Sequence, residues 1–141
     1  MPRQRIATAS PFEQLASYSR AVVDGDMIYV SGTVGLDYAT QRIPEGAAEQ
    51  TEQALRNIAE ALDRARATLA DVLRIRVFIA DRDDLMAVCQ VIGRHFKDVF
   101  PANTTVVTQL ATAEMKVEIE VTARRGSADP VSLSPSGRGS G

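Results

Sequence analysis

From Met115 to Arg124 the chain alternates without a break. Val117, Ile119, Val121 and Ala123 are apolar, and Lys116, Glu118, Glu120 and Thr122 between them are polar. Side chains along a strand point to opposite faces with a period of two, so this segment predicts a strand with one dry face and one wet face. Such a strand requires neighbours to satisfy its backbone and a layer to cover its dry side.

The rest of the chain supplies both. A short strand is expected around Arg5 to Thr8. Ser19 to Val23 and Met27 to Thr33 flank Asp24-Gly25-Asp26, and an Asp-Gly turn between apolar runs predicts a hairpin. Gly32, Gly35 and Pro44 mark an irregular stretch. Gly46 to Thr68 reads as a helix, with Ala47, Thr51, Ala54, Leu55, Ile58, Leu62 and Ala65 recurring at three and four residues. Val72 to Ala80 reads as a strand with Leu73, Ile75, Val77 and Ile79 on one face and Arg74 and Arg76 on the other. Asp83 is the expected N-cap of a second helix reaching about Val99, whose buried stripe is Leu85, Val88, Cys89, Ile92, Phe96 and Val99. Pro101 closes it, and Thr104 to Leu110 precedes the last strand.

The order is βββαβαββ. This predicts an α+β layer in which two helices cover one face of a mixed six-stranded sheet. The other face is left bare, and burial against further copies in closed cyclic symmetry is the natural solution. Residues 1–125 form one domain, and 126–141, rich in Ser, Gly and Pro, read as a flexible tail.

Composition narrows the function. A net charge of -2 gives no electrostatic footprint for nucleic acid. One cysteine, Cys89, excludes an internal disulfide and fits a reducing compartment, with cytoplasm the default. Cys89 reads as a buried structural thiol and His95 as a packed or half-exposed side chain. A single histidine disfavours a His-based metal site. No apolar run approaches the ~18 residues of a membrane span.

Four motifs, in order, resemble the Rid/YjgF family of small deaminases. They are Tyr18 before the hairpin, Tyr29-Val30-Ser31-Gly32, Val77-Phe78-Ile79-Ala80-Asp81, and Phe100-Pro101-Ala102-Asn103-Thr104-Thr105 followed by Val117-Glu118-Ile119-Glu120. The resemblance spans about Ile6 to Arg124. It implies a chorismate mutase-like fold, a homotrimeric barrel with small-molecule sites in the clefts between subunits, and hydrolysis of imines and enamines without metal or organic cofactor. It also implies that Glu118 positions or activates water, and that Tyr18, Ser31, Asn103 and Thr105 contact substrate. Two positions depart from the pattern. The family has an Arg where this chain has Asn103, and a frequent Asn on the second helix aligns with Cys89.

Asn103 decides the expected substrate. A guanidinium grips a carboxylate by two charge-assisted hydrogen bonds, and losing a charged partner in a desolvated cleft costs roughly 2–5 kcal/mol. Ordinary 2-imino acids are therefore expected to be poor substrates, whether Asn103 binds substrate or only turns the loop. Arg74, Arg76, Arg124 and Arg125 are the candidates to replace the lost cation. Glu118 shares its strand face with Glu120, and either a cleft carboxylate or a surface charge fits that position. Ser31 has no histidine partner for a triad, which leaves hydrogen bonding to substrate or loop anchoring. The leading function is a cofactor-free hydrolase or deaminase of C=N and enamine compounds. The alternative is a non-catalytic trimer that binds or senses a small metabolite. Ribonuclease activity, a label that travels with the family, is disfavoured by the acidic balance.

Overall fold

A computed structural model describes residues 2–128. In chain order the elements are β1 (Gln4–Ile6), α1 (Pro11–Ala16), β2 (Ala21–Asp24), β3 (Met27–Val34), α2 (Ala47–Arg64), β4 (Val72–Ile79), α3 (Leu85–His95), β5 (Ala102–Val107) and β6 (Val117–Arg124). The six strands form one mixed sheet in the order β1-β2-β3-β6-β4-β5. β4 and β5 are parallel, and every other pair is antiparallel. The α+β layer is as expected, with one element more. α1 is too short to show helical periodicity. Its signal is Ser10 at the N-cap followed by Pro11 at the first helical position.

The dry face of the last strand is dry in the fold. Val117, Ile119, Val121 and Ala123 are buried beneath α2, which lies across β3 and β6 and beside α3. The stripe of α2 is buried from Ala47 through Thr51, Ala54, Leu55, Ile58 and Leu62. Arg125 donates from Nε and Nη2 to the Ala65 carbonyl, at 3.1 and 2.7 Å, satisfying an orphan acceptor at the helix end. Ser127 and Ala128 hydrogen-bond to Asp71. The rest of the expected tail, 129–141, lies outside the described residues.

Three expectations are corrected. Leu73 is exposed, because the β4–β6 register shifts between Val72 and Arg74. The extra residue in β4 places both Val72 and Ile75 on the buried side and turns Leu73 out. Cys89 is exposed rather than buried, since α3 turns Val88 and Val91 to the core and leaves Cys89 on its flank. Asp83 does not cap α3. Asp81 caps a single 3-10 turn, Arg82–Asp84, by accepting from the Asp83 N–H at 2.9 Å, and α3 follows it.

His95 ties the end of α3 to α2. Its Nε2 lies 2.6 Å from Glu52 Oε1, and Arg94 donates to Glu52 Oε2 at 2.9 Å. The hydrogen bond from His95 is the main cause that holds the Glu52 carboxyl below its ordinary range. Among the described residues no helix is long and apolar enough to cross a membrane.

Gly35, just after β3, fixes how closely α2 approaches. A Cβ there would lie 2.5 Å from the Gln50 carbonyl oxygen and 2.7 Å from its Cα, both backbone atoms that cannot swing away. Gly35→Ala is expected to destabilise the fold by about 1–3 kcal/mol, the usual cost of overpacking. Denaturant titration checks this, and an unchanged midpoint would show that α2 is free to lift.

Candidate active site

β3 carries the local irregularity that builds the site. Val30 pairs with Val121 and Thr33 with Ile119, so Ser31 and Gly32 together stand opposite Glu120. This one-residue bulge keeps both Val30 and Thr33 buried and brings Gly32 against β6. The Glu118 carboxylate lies over Gly32, where an added Cβ would sit 2.1 Å from its Oε2. A larger residue there would push the Glu118 carboxylate from this position.

The floor of the site is a buried ion pair that sequence reasoning missed. Arg20, in the approach to β2, and Glu13, in α1, are 3% and 5% exposed. Arg20 Nε donates to Glu13 Oε2 at 3.1 Å, and its Nη1 donates to the Gly32 carbonyl at 2.7 Å and to Thr33 Oγ1 at 3.1 Å. Glu13 also accepts from the Thr8 backbone N–H at 2.9 Å and from the Thr8 hydroxyl. The guanidinium carbon stands 5.6 Å from the centre of the Tyr18 ring, within cation–π range. α1 thus buries its carboxylate while its Leu15 stays exposed.

Above this floor is a cavity of about 190 Å³. Ser10, Tyr18, Arg20, Tyr38 and Glu118 are its polar side chains, Gly32 lies among them, and Phe12, Ala16, Val34, Leu36, Ala111 and Met115 are its apolar walls. Burial raises the Glu118 carboxyl above its ordinary range, the positive charge of Arg20 opposes that rise, and Glu120 adds to it. Burial likewise raises Tyr38, against the pull of Arg20. A carboxyl of raised pKa beside a small cavity is a candidate for proton transfer.

The expected site residues divide. Tyr18 and Glu118 come together in this cavity. Ser31 lines a second, larger depression of about 640 Å³ that Tyr18 also borders, with Arg3 and Arg5, and its hydroxyl donates to the Ser19 carbonyl at 2.7 Å. Asn103 and Thr105 are in β5, the strand at the sheet edge beyond β4. They pair with Ile75 and Val77, which are buried on the helix side, whereas Glu118 faces the other side. The Thr105 hydroxyl donates to Asn103 Oδ1 at 2.8 Å. Neither residue lines the cavity of its own protomer. Arg74, Arg76, Arg124 and Arg125 do not line it either. Arg76 pairs with Glu120 on the surface, and Arg125 caps α2. Among the described residues no three or more His, Cys, Asp and Glu gather as metal ligands.

Comparison with known proteins follows the same lines. The family profile described as endoribonuclease L-PSP matches residues 8–125. The chain belongs to the Rid/YjgF family. The goat protein named 2-iminobutanoate/2-iminopropanoate deaminase is 36% identical over 132 residues, which cover 93% of this chain and 96% of that protein. The human protein of the same name is 33% identical with the same coverage. Among solved structures, a member of the YjgF/YER057c/UK114 family from Mycobacterium tuberculosis superposes with a TM-score of 0.79 at 37% identity, covering 87% of this chain and 99% of that one. The YjgF gene product of E. coli superposes at 0.78 with 27% identity, covering 86% and 98%.

Breaking a buried ion pair leaves one charge uncompensated. Glu13→Ala is therefore expected to cost about 3–5 kcal/mol, and the apolar double variant Glu13→Leu/Arg20→Met markedly less than the single change. Thermal and denaturant unfolding of both variants check this. A double variant less stable than Glu13→Ala would show that the hydrogen bonds to Gly32 and Thr33, not charge pairing, dominate.

Proposed function

We propose that this protein is a Rid-family hydrolase that deaminates a small imine or enamine, with Glu118 as the acid–base group. The observation that carries the reading is the Glu118 carboxyl, half-buried over Gly32 and raised in pKa beside a small cavity. Relatives named as iminobutanoate and iminopropanoate deaminases support the reaction class.

The chemistry needs only proton transfers. The ionised Glu118 takes a proton from water as the water oxygen bonds to the C=N carbon, and delivers that proton to the nitrogen. Glu118 then takes the hydroxyl proton of the resulting carbinolamine and returns it to the nitrogen as the C–N bond breaks, so ketone and ammonia leave. An enamine first gains a proton at carbon from the acid form of Glu118. Water supplies the oxygen, and no electron acceptor is required.

Asn103 is the reason to set ordinary 2-imino acids aside, because it brings no charge to the position where the family carries an Arg. Asn103 and Thr105 reach a site only if a second protomer brings its β5 edge to this cavity. A homotrimer, with the cleft shared between subunits, fits that requirement and the bare sheet face that exposes Tyr29. Light scattering should give three chains per particle at micromolar concentration. A monomer would remove Asn103 and Thr105 from the site altogether.

Glu118→Gln keeps size and hydrogen bonding but removes the basicity. It is expected to reduce hydrolysis of a panel of imines and enamines by about 10²–10⁴-fold, while Glu120→Gln on the same face stays active. The sign of the pH effect follows from the raised pKa. The base form of Glu118 is lost as pH falls through that value, so the acid limb of the wild-type rate should lie above the ordinary carboxylate range. Full activity of Glu118→Gln would leave the alternative, a binding or sensing protein of the same fold.

A further inference from the structure

Arg20 has one nitrogen to spare. Nε and Nη1 are engaged by Glu13, Gly32 and Thr33. Among the described residues Nη2 has no hydrogen-bond partner, and it is not one of the atoms sealed from solvent without a partner. Arg20 is 3% exposed and lines the cavity, so its open surface is the one that the cavity meets. The guanidinium is held by the buried Glu13 and Thr33 and by the part-buried Gly32 carbonyl, which leaves Nη2 as its unengaged donor.

Its charge, however, is already matched. Glu13 neutralises it at 3.1 Å, and Glu118 shares the same small space. A ligand carboxylate placed there would compete with Glu13 for one guanidinium whose charge is already matched, with the Glu118 carboxyl alongside. Burial already disfavours the ionised form of Glu118, and a second anion would disfavour it further. A neutral carbonyl oxygen accepts from Nη2 without that repulsion. Beside Arg20 and Glu118 the walls are mostly apolar, with the hydroxyls of Ser10, Tyr18 and Tyr38 among them, and the cavity of about 190 Å³ suits a small ligand group.

We infer that Arg20 is the specificity residue of this cavity, donating from Nη2 to the neutral carbonyl oxygen of a small uncharged ligand, an amide or ester rather than a free carboxylate. This rests on the hydrolase reading for its imine or enamine group, and it assigns the substrate class that Asn103 leaves open. The Rid/YjgF carboxylate clamp is thus absent at position 103 and is not rebuilt at Arg20. The site instead prefers the carbonyl of a carboxylic acid derivative, attached to the C=N or enamine carbon that Glu118 serves.

The test reads binding of stable product-like probes, independent of turnover. Pyruvamide and pyruvate differ only in the group offered to Arg20. Ligand-observed NMR titration of the full-length protein at neutral pH should show pyruvamide bound at least about tenfold more tightly than pyruvate, since like charges in a desolvated site are strongly disfavoured. In Glu118→Gln, which removes one of the two carboxylates, that preference should shrink to about threefold or less. In the doubly neutral variant Glu13→Gln/Arg20→Gln, pyruvamide should weaken about tenfold. Equal or tighter binding of pyruvate by the wild-type protein, or no binding of either probe, overturns the inference. So does an undiminished preference in Glu118→Gln, and that arm decides if the double variant fails to fold. An inactive imine panel with the binding preference intact would sink the hydrolase reading and leave this one standing.

Discussion

The buried pair of Arg20 and Glu13 is the constraint around which the site is organised. A guanidinium and a carboxylate leave water only if nearly every donor and acceptor finds a partner. Here the partners come from separated stretches of chain: Thr8 before α1, Glu13 within it, and Gly32 and Thr33 at the β3 bulge. Satisfying the pair therefore fixes α1 against the sheet, holds the bulge in register and presents Tyr18 beneath the guanidinium. The cavity is what remains between these fixed pieces.

A second set of buried polar groups holds the opposite wall. Gln50 in α2 is fully buried, donates from Nε2 to the Pro44 and Glu114 carbonyls, and accepts from the Lys116 N–H. Asn57, two turns further along, donates to the Val34 and Leu36 carbonyls. One helix thus pins both irregular stretches that carry Leu36, Ala111 and Met115 into the cavity. These loops lack ladder partners of their own, and the amides of α2 satisfy their carbonyls in place of a strand.

Periodicity made the framework legible. The alternation of β6, the stripe of α2 and the Asp-Gly hairpin appear as the sequence implies, because each is a local pattern repeated over many residues. The two bulges were not legible. Each inserts a single residue, at Ser31–Gly32 and at Leu73, and each reverses which residues face the core. A strict period of two therefore carried Leu73 to the wrong side. The site followed the same division. Phase on β6 set Glu118 and Glu120 on one face without choosing between them, and Glu118, like Tyr18, was singled out only by the family resemblance. Arg20 and Glu13 were not, since charged residues default to the surface. Their burial follows from a pairing that only tertiary structure reveals. The available signal was Ser10-Pro11 opening a short helix with Glu13 in its first turn.

The charge balance of the cavity also gives Asn103 a physical context. An arginine added at that position would bring a second guanidinium to any shared cleft. The cavity's own guanidinium is already matched by Glu13, and its further carboxyl is held by burial toward the neutral form. A neutral amide at position 103 leaves that balance undisturbed. The extra cation would favour ionised Glu118 and draw its pKa back toward the ordinary carboxylate range, which would weaken it as a proton donor to an enamine carbon. In the proposed trimer, Asn103 and the raised Glu118 would form one electrostatic arrangement, suited to an uncharged ligand.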